Sequence, residues 1–142
     1  MKQPVFLSVG NVIYLHEDSI QNEGGKPGMR DLPLLESAVL MPQQQFAGEY
    51  LHPSVPAMAA AYLFHITSNH PFLDGNKRAG AMAAYVFLDA NGYDLTASPK
   101  DFESLVLRIA EGVISKDDVI KWFRKSSKRR TAGRKEGSRR PC

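Results

Sequence analysis

Nine consecutive residues, His70-Pro71-Phe72-Leu73-Asp74-Gly75-Asn76-Lys77-Arg78, hold most of the groups in this chain that can do chemistry together. His70 is a candidate general base, because imidazole is the side chain that titrates near neutral pH. Asp74 offers hard carboxylate oxygens suited to Mg2+. Gly75 and Asn76 fall where a helix begins, and the unpaired backbone N–H groups there favour an anion. Lys77 and Arg78 add two cations beside that turn. Phe72 reads as an apolar anchor that holds the loop on the core. Taken singly, each residue fits an ordinary polar loop between helices, with a capping Asp or Asn and two solvated cations. Their joint spacing is what points to nucleotide chemistry: a base, a metal ligand and an anion cradle in one short segment.

The elements that must position this loop are helical. Apolar residues recur at helical spacing through most of the chain. Ser8 caps a first helix with Val9, Val12, Ile13, His16 and Ile20 on one side, stopped by Gly24-Gly25. After a turn at Lys26-Pro27-Gly28, Asp31 caps a short helix through Leu40, with Pro33 in its first turn. Residues 43–53 lack a helical rhythm and read as a loop or a short β-hairpin. Ser54 opens a strongly apolar helix that runs out near Ser68-Asn69. A second long helix starts near Asn76 and stops at Asn91-Gly92. Its first half is slim, with Ala79, Gly80, Ala81, Ala83 and Ala84. Ser98-Pro99 opens a further helix, closed by Gly112, and Ser115 caps the last one, through Trp122-Phe123. The expected architecture is a single all-α domain of about six helices, with the helices near 54–69 and 76–91 as its core and the candidate loop between them.

Composition narrows the function classes. The chain has 142 residues, 43% of them hydrophobic, enough for one domain with a core of its own. No apolar run approaches the roughly 20 residues that a membrane span needs. The start, Met1-Lys2-Gln3-Pro4, has no apolar signal region, and the single cysteine, Cys142, leaves no partner for an intramolecular disulfide. A cytoplasmic location is expected. The net charge of +3 conceals an asymmetry: residues 126–142 carry seven Lys/Arg against Glu136 alone, +6, which leaves −3 on residues 1–125. The expected division is a domain over 1–125 and a basic, disordered tail over 126–142. Such a tail can bind nucleic acid electrostatically, but a solvated terminus is the simpler reading.

The loop resembles the motif of the Fic/Doc family, H-x-F-x-[DE]-G-N-G-R-x-x-R, and matches it at His70, Phe72, Asp74, Gly75, Asn76 and Arg78. The stretch Gly24 to Asp31, the following Leu34-Leu35-Glu36-Ser37-Ala38 and the run VFLDANGY resemble the death-on-curing (Doc) branch, so the likeness covers roughly residues 5–125. Two positions depart from the motif. Lys77 stands at its second Gly and Ala81 at its second Arg, the residues that help hold the β- and γ-phosphates in relatives that transfer AMP. Doc-like proteins share the Asn-Lys-Arg variant.

The resemblance implies an ATP-dependent, Mg2+-assisted kinase in which the γ-phosphoryl of ATP passes to a Ser, Thr or Tyr hydroxyl of a protein. In that branch the implied target is elongation factor Tu. His70 would be the base and Asp74 the metal ligand, with Gly75, Asn76, Lys77 and Arg78 around the phosphates. Residues 43–53 occupy the place of the family's target-binding flap. Ser19 to Gly24 (SIQNEG) fits the family's inhibitory string but is set aside as a chance match, and a separate antitoxin is the expected restraint. Two alternatives stay open: AMP transfer with the same base, and a non-catalytic module that binds nucleic acid through the tail.

Overall fold

A computed structural model describes residues 3–131 of the chain. Six helices follow one another: α1 (Val9–Glu23), α2 (Leu32–Leu40), α3 (Val55–Asn69), α4 (Asn76–Ala90), α5 (Pro99–Ala110) and α6 (Lys116–Ser126). A 3-10 turn (Met41–Gln43) and a hairpin of β1 (Gln45–Phe46) and β2 (Glu49–Tyr50) link α2 to α3. Among the described residues no helix is long and apolar enough to cross a membrane.

Local sequence accounts for the helix starts. Ser8, Asp31, Ser54, Ser98 and Ser115 each accept a backbone N–H of their helix's first turn through a side-chain oxygen. Of the loop and the hairpin that residues 43–53 allow, the structure forms the hairpin. Its turn residues Ala47 and Gly48 have φ of 53° and 82°, the left-handed pair that suits the twist of a two-residue hairpin.

The core lies between α3 and α4, which pack more extensively on each other than any other pair. Along α3, the segment from Val55 to Leu63 is buried on every side, so this helix runs through the middle of the molecule. The small face of α4, Ala79, Gly80, Ala83 and Ala84, lets the two backbones come close. At Gly80 a Cβ would stand 2.6 Å from Thr67 Oγ1 and 3.3 Å from the Leu63 carbonyl, which is why a residue costing about 1 kcal/mol in a helix is found there. Tyr62 and Phe87 meet at 5.0 Å further along. The helices therefore run antiparallel and clamp the loop 70–75 at both ends.

Charge alone assigns residues 127–130 to the tail, but they fold onto the body. β4 (Ser127–Arg129) pairs with β3 (Tyr93–Leu95) in antiparallel register, Asp94 opposite Lys128. Arg130 follows, its side chain 8% exposed. It donates to Asp89 Oδ1 at 3.0 Å, Asp94 Oδ1 at 2.8 Å and the Asp89 carbonyl at 2.7 Å. This cation therefore belongs to the fold. The rest of the expected tail, 132–142, lies outside the described residues.

Candidate active site

His70 closes α3 in the left-handed conformation, φ 51° and ψ 54°. For a residue with a Cβ this costs on the order of 1 kcal/mol and must be held from outside. Arg30 holds it. Its Nε donates to the His70 carbonyl at 2.6 Å and its Nη2 to the Asn69 carbonyl at 2.9 Å, so a cation sits on the negative end of α3. Asn69 in turn donates to the Leu34 carbonyl of α2 at 2.9 Å. The exposed His70 ring lies 3.0 Å, through Nδ1, from the Thr67 carbonyl. A carbonyl only accepts, so Nδ1 carries the proton. Nε2 is left with a lone pair, the form a general base needs.

The segment 26–31 pairs with the loop as a short ribbon. Arg30 and Asp31 donate backbone N–H to the Pro71 carbonyl at 2.7 and 3.0 Å, and Leu73 donates to the Gly28 carbonyl at 3.1 Å. Phe72 is 2% exposed. His16 of α1 stacks on it at 3.7 Å with an interplanar angle of 5°, and His16 Nε2 lies 2.7 Å from the Asp74 carbonyl.

The Asp74 carboxylate is exposed but well oriented. Its Oδ2 accepts the Lys26 amide at 3.0 Å and its Oδ1 the Gly75 amide at 2.8 Å. These two bonds, the Lys26 one first, hold its pKa below the usual carboxylate value, with Arg78 and Lys77 adding to the effect. An ionised carboxylate with further lone pairs fits a divalent cation. Among the described residues no group of three or more His, Cys, Asp or Glu could hold a metal unaided. Mg2+ commonly takes one or two carboxylates and completes its shell with water and substrate phosphates, which suits Asp74 alone.

The start of α4 is built differently from the other five helices. Its N-cap, Gly75 with φ 77°, supplies no side-chain acceptor. Among the described hydrogen bonds none engages the amides of Asn76, Lys77 or Arg78, whereas Ala79 N–H already reaches the Gly75 carbonyl at 2.9 Å. The first turn thus presents open donors at the positive end of a 15-residue helix. The carboxamide of Asn76 is committed elsewhere: it accepts the Phe72 N–H at 2.9 Å and donates to the Phe72 carbonyl at 3.0 Å. Its backbone N–H stays open toward an anion. Lys77 is exposed beside this turn. Arg78 bends back, donating to the Gly24 carbonyl at 2.9 Å and lying 3.6 Å from Glu23.

The structure therefore places Asp74, Gly75, Lys77 and Arg78 at the turn that opens α4, sets His70 at the other end of the same short loop, and gives Asn76 and Phe72 to the scaffold. Sequence reasoning missed three supports: His16, Arg30 and Gly25. At Gly25 a Cβ would lie 2.8 Å from Arg78 Nη2 and 3.0 Å from Asp74 Oδ2, with φ at 119°. The one available signal for His16 was an imidazole inside the apolar stripe of α1. A cleft of about 310 Å3 runs beside α1, lined by His16, Glu17, Ile20, Gln21, Pro27 and Gly28. It meets the site at His16 and at the ribbon residues Pro27 and Gly28, and none of His70, Asp74, Gly75, Lys77 or Arg78 lines it.

The central helical hairpin thus presents an imidazole, an ionised carboxylate and an uncapped helix start on one short segment. The Fic/DOC family model matches residues 6–88. The chain is 32% identical over 119 residues to "Protein kinase doc" of Escherichia phage P1, covering 84% of this chain and 93% of that protein. It is 42% identical over 74 residues to "Toxin Doc" of Mycolicibacterium smegmatis (strain ATCC 700084 / mc(2)155), covering 52% of this chain and 57% of that relative's length. The chain belongs to the Fic/DOC family.

Proposed function

We propose that this protein is a Doc-type toxin that transfers the γ-phosphoryl of ATP to a protein hydroxyl and is restrained by a separate antitoxin. The observation that carries this reading is the uncapped start of α4, with Lys77 on it, the Asp74 carboxylate beside it and His70 at the other end of the same loop. The names of both relatives support the toxin and kinase components.

His70 Nε2 accepts the proton of the target hydroxyl as that oxygen bonds to the γ-phosphorus. The bond from phosphorus to the bridging oxygen breaks, and ADP departs. The amides of Asn76, Lys77 and Arg78, with the Lys77 ammonium, bear the phosphate charge through the transition state. Asp74 would hold Mg2+ against the phosphates, where the ion neutralises charge. The β1–β2 hairpin has an open edge and an exposed Phe46, suited to pairing with an extended target segment. The family resemblance makes elongation factor Tu the first target to try.

Incubating that factor with ATP labelled at the α or the γ position tests the reading. We expect γ-label on the protein, lost in His70→Ala. Incorporation of α-label with the mass of AMP would replace phosphoryl transfer with AMP transfer.

A further inference from the structure

We infer that His16 is a positioning residue whose Nε2–H, donated to the Asp74 carbonyl, fixes which way the Asp74–Gly75 peptide faces and thereby aims the Gly75 amide at the Asp74 carboxylate. His16 sits on α1, 2% exposed, and comes from 58 residues upstream of its acceptor. Its Nε2 is 2.7 Å from a carbonyl oxygen, which can only accept, so this nitrogen carries the proton. In a trans peptide the C=O and the N–H point to opposite sides. Turning the oxygen inward to His16 turns the Gly75 N–H outward, where it meets Asp74 Oδ1 at 2.8 Å.

The Gly75 N–H bond to the carboxylate is local to the turn, so His16 is the peptide's long-range restraint. Gly75 has no side chain and populates both signs of φ, so its present φ of 77° must be imposed by neighbours. A peptide turned over would withdraw one amide from the carboxylate and put a carbonyl oxygen at the mouth of the anion turn. His16 is also seated tightly enough to act: its Nε2 lies 3.4 Å from where a Gly75 Cβ would stand, and its ring stacks on Phe72 at 3.7 Å. Its consequence for nucleotide binding rests on the function proposed above, whereas the orientation of the peptide does not.

Nitrogen NMR of the full wild-type chain gives the first test. The His16 imidazole shifts should report the Nε2–H tautomer, and an Nδ1–H tautomer would overturn the inference. Two variants then separate the ring from its donor. His16→Phe keeps the stack on Phe72 and removes the donor, while His16→Gln keeps a donor and removes the ring. In His16→Phe the Gly75 amide proton should move upfield as its bond to the carboxylate is lost, with Mg·ATP affinity by calorimetry falling about 10-fold. His16→Gln should restore both toward wild type. An unchanged Gly75 amide in folded His16→Phe sinks the inference. A shifted amide in a protein whose wild type does not bind Mg·ATP supports the positioning role and rejects the nucleotide reading. If His16→Phe fails to fold, the wild-type tautomer and the Gln variant decide.

Discussion

Replacing Arg30 with alanine removes both donors that hold the end of α3, at 2.6 Å to the His70 carbonyl and 2.9 Å to the Asn69 carbonyl. Hydrogen bonds from charged groups contribute about 1.5–3 kcal/mol each when shielded, but Arg30 is exposed, so the pair is discounted to about 1–2 kcal/mol in total. For a domain of this size that lowers Tm by roughly 3–7 °C. The larger effect falls on the reaction. His70 at φ 51° then loses the bonds that offset its strain, and the last turn of α3 relaxes. A displacement of the base by about 1 Å costs roughly 100-fold in rate. The fall should appear in kcat with the KM for ATP nearly unchanged, because the anion turn belongs to α4. Arg30→Lys should recover little, since a single ammonium lacks the fork that reaches both carbonyls. Steady-state transfer of γ-label, with thermal unfolding of the same samples, measures both effects. A folded Arg30→Ala protein with wild-type kcat would refute this account of how the base is held.

Four further outcomes can be measured. His70→Gly and His70→Ala should both lose transfer by about 10²–10⁴-fold, yet the Gly variant should be the more stable by about 1 kcal/mol, because it alone fits the left-handed backbone; equal unfolding temperatures would remove the strain argument. Lys77→Ala should weaken transfer by a factor matching about 1.5–3 kcal/mol, read as a higher KM for ATP, and an unaltered KM would place the phosphates elsewhere. His65 is held neutral by burial, with Lys116 and His52 adding to it, so that its pKa falls to about 4. The unfolded chain takes up this proton below about pH 6.5 while the folded one does not. Stability should therefore decline from pH 7 toward pH 4, and His65→Leu should flatten the profile; an identical profile in that variant would assign the decline to other groups. Gly80→Val should destabilise by about 3 kcal/mol through the clash with Thr67 and Leu63, to be checked by denaturant unfolding.

What could be read from the sequence was what is local. The caps at Ser8, Asp31, Ser54, Ser98 and Ser115 lie within three residues of the amides they accept, so the helix starts were legible. The pairing of β3 with β4 was not. It joins two three-residue strands 32 or more positions apart, too short for any alternation to show. Arg130 was hidden for a related reason: in a run of Lys and Arg, charge does not reveal that one cation will meet Asp89 and Asp94. In the site, spacing singled out His70, Asp74 and the backbone amides near Asn76, but it could not show that the Asn76 carboxamide bonds the Phe72 backbone on both sides. Residue type states what a side chain can bond, and tertiary contacts choose among the options.

The candidate site groups occupy one unbroken stretch, His70 to Arg78, while the groups that brace it, His16, Gly25, Lys26 and Arg30, come from a separate stretch beginning 58 residues before Asp74. A designer who grafts the nine residues alone between two helices of another protein would carry over the reagents without the jig. The transplant should leave the loop mobile and inert until residues 16–31 are moved with it as a second cassette, docked in the same register.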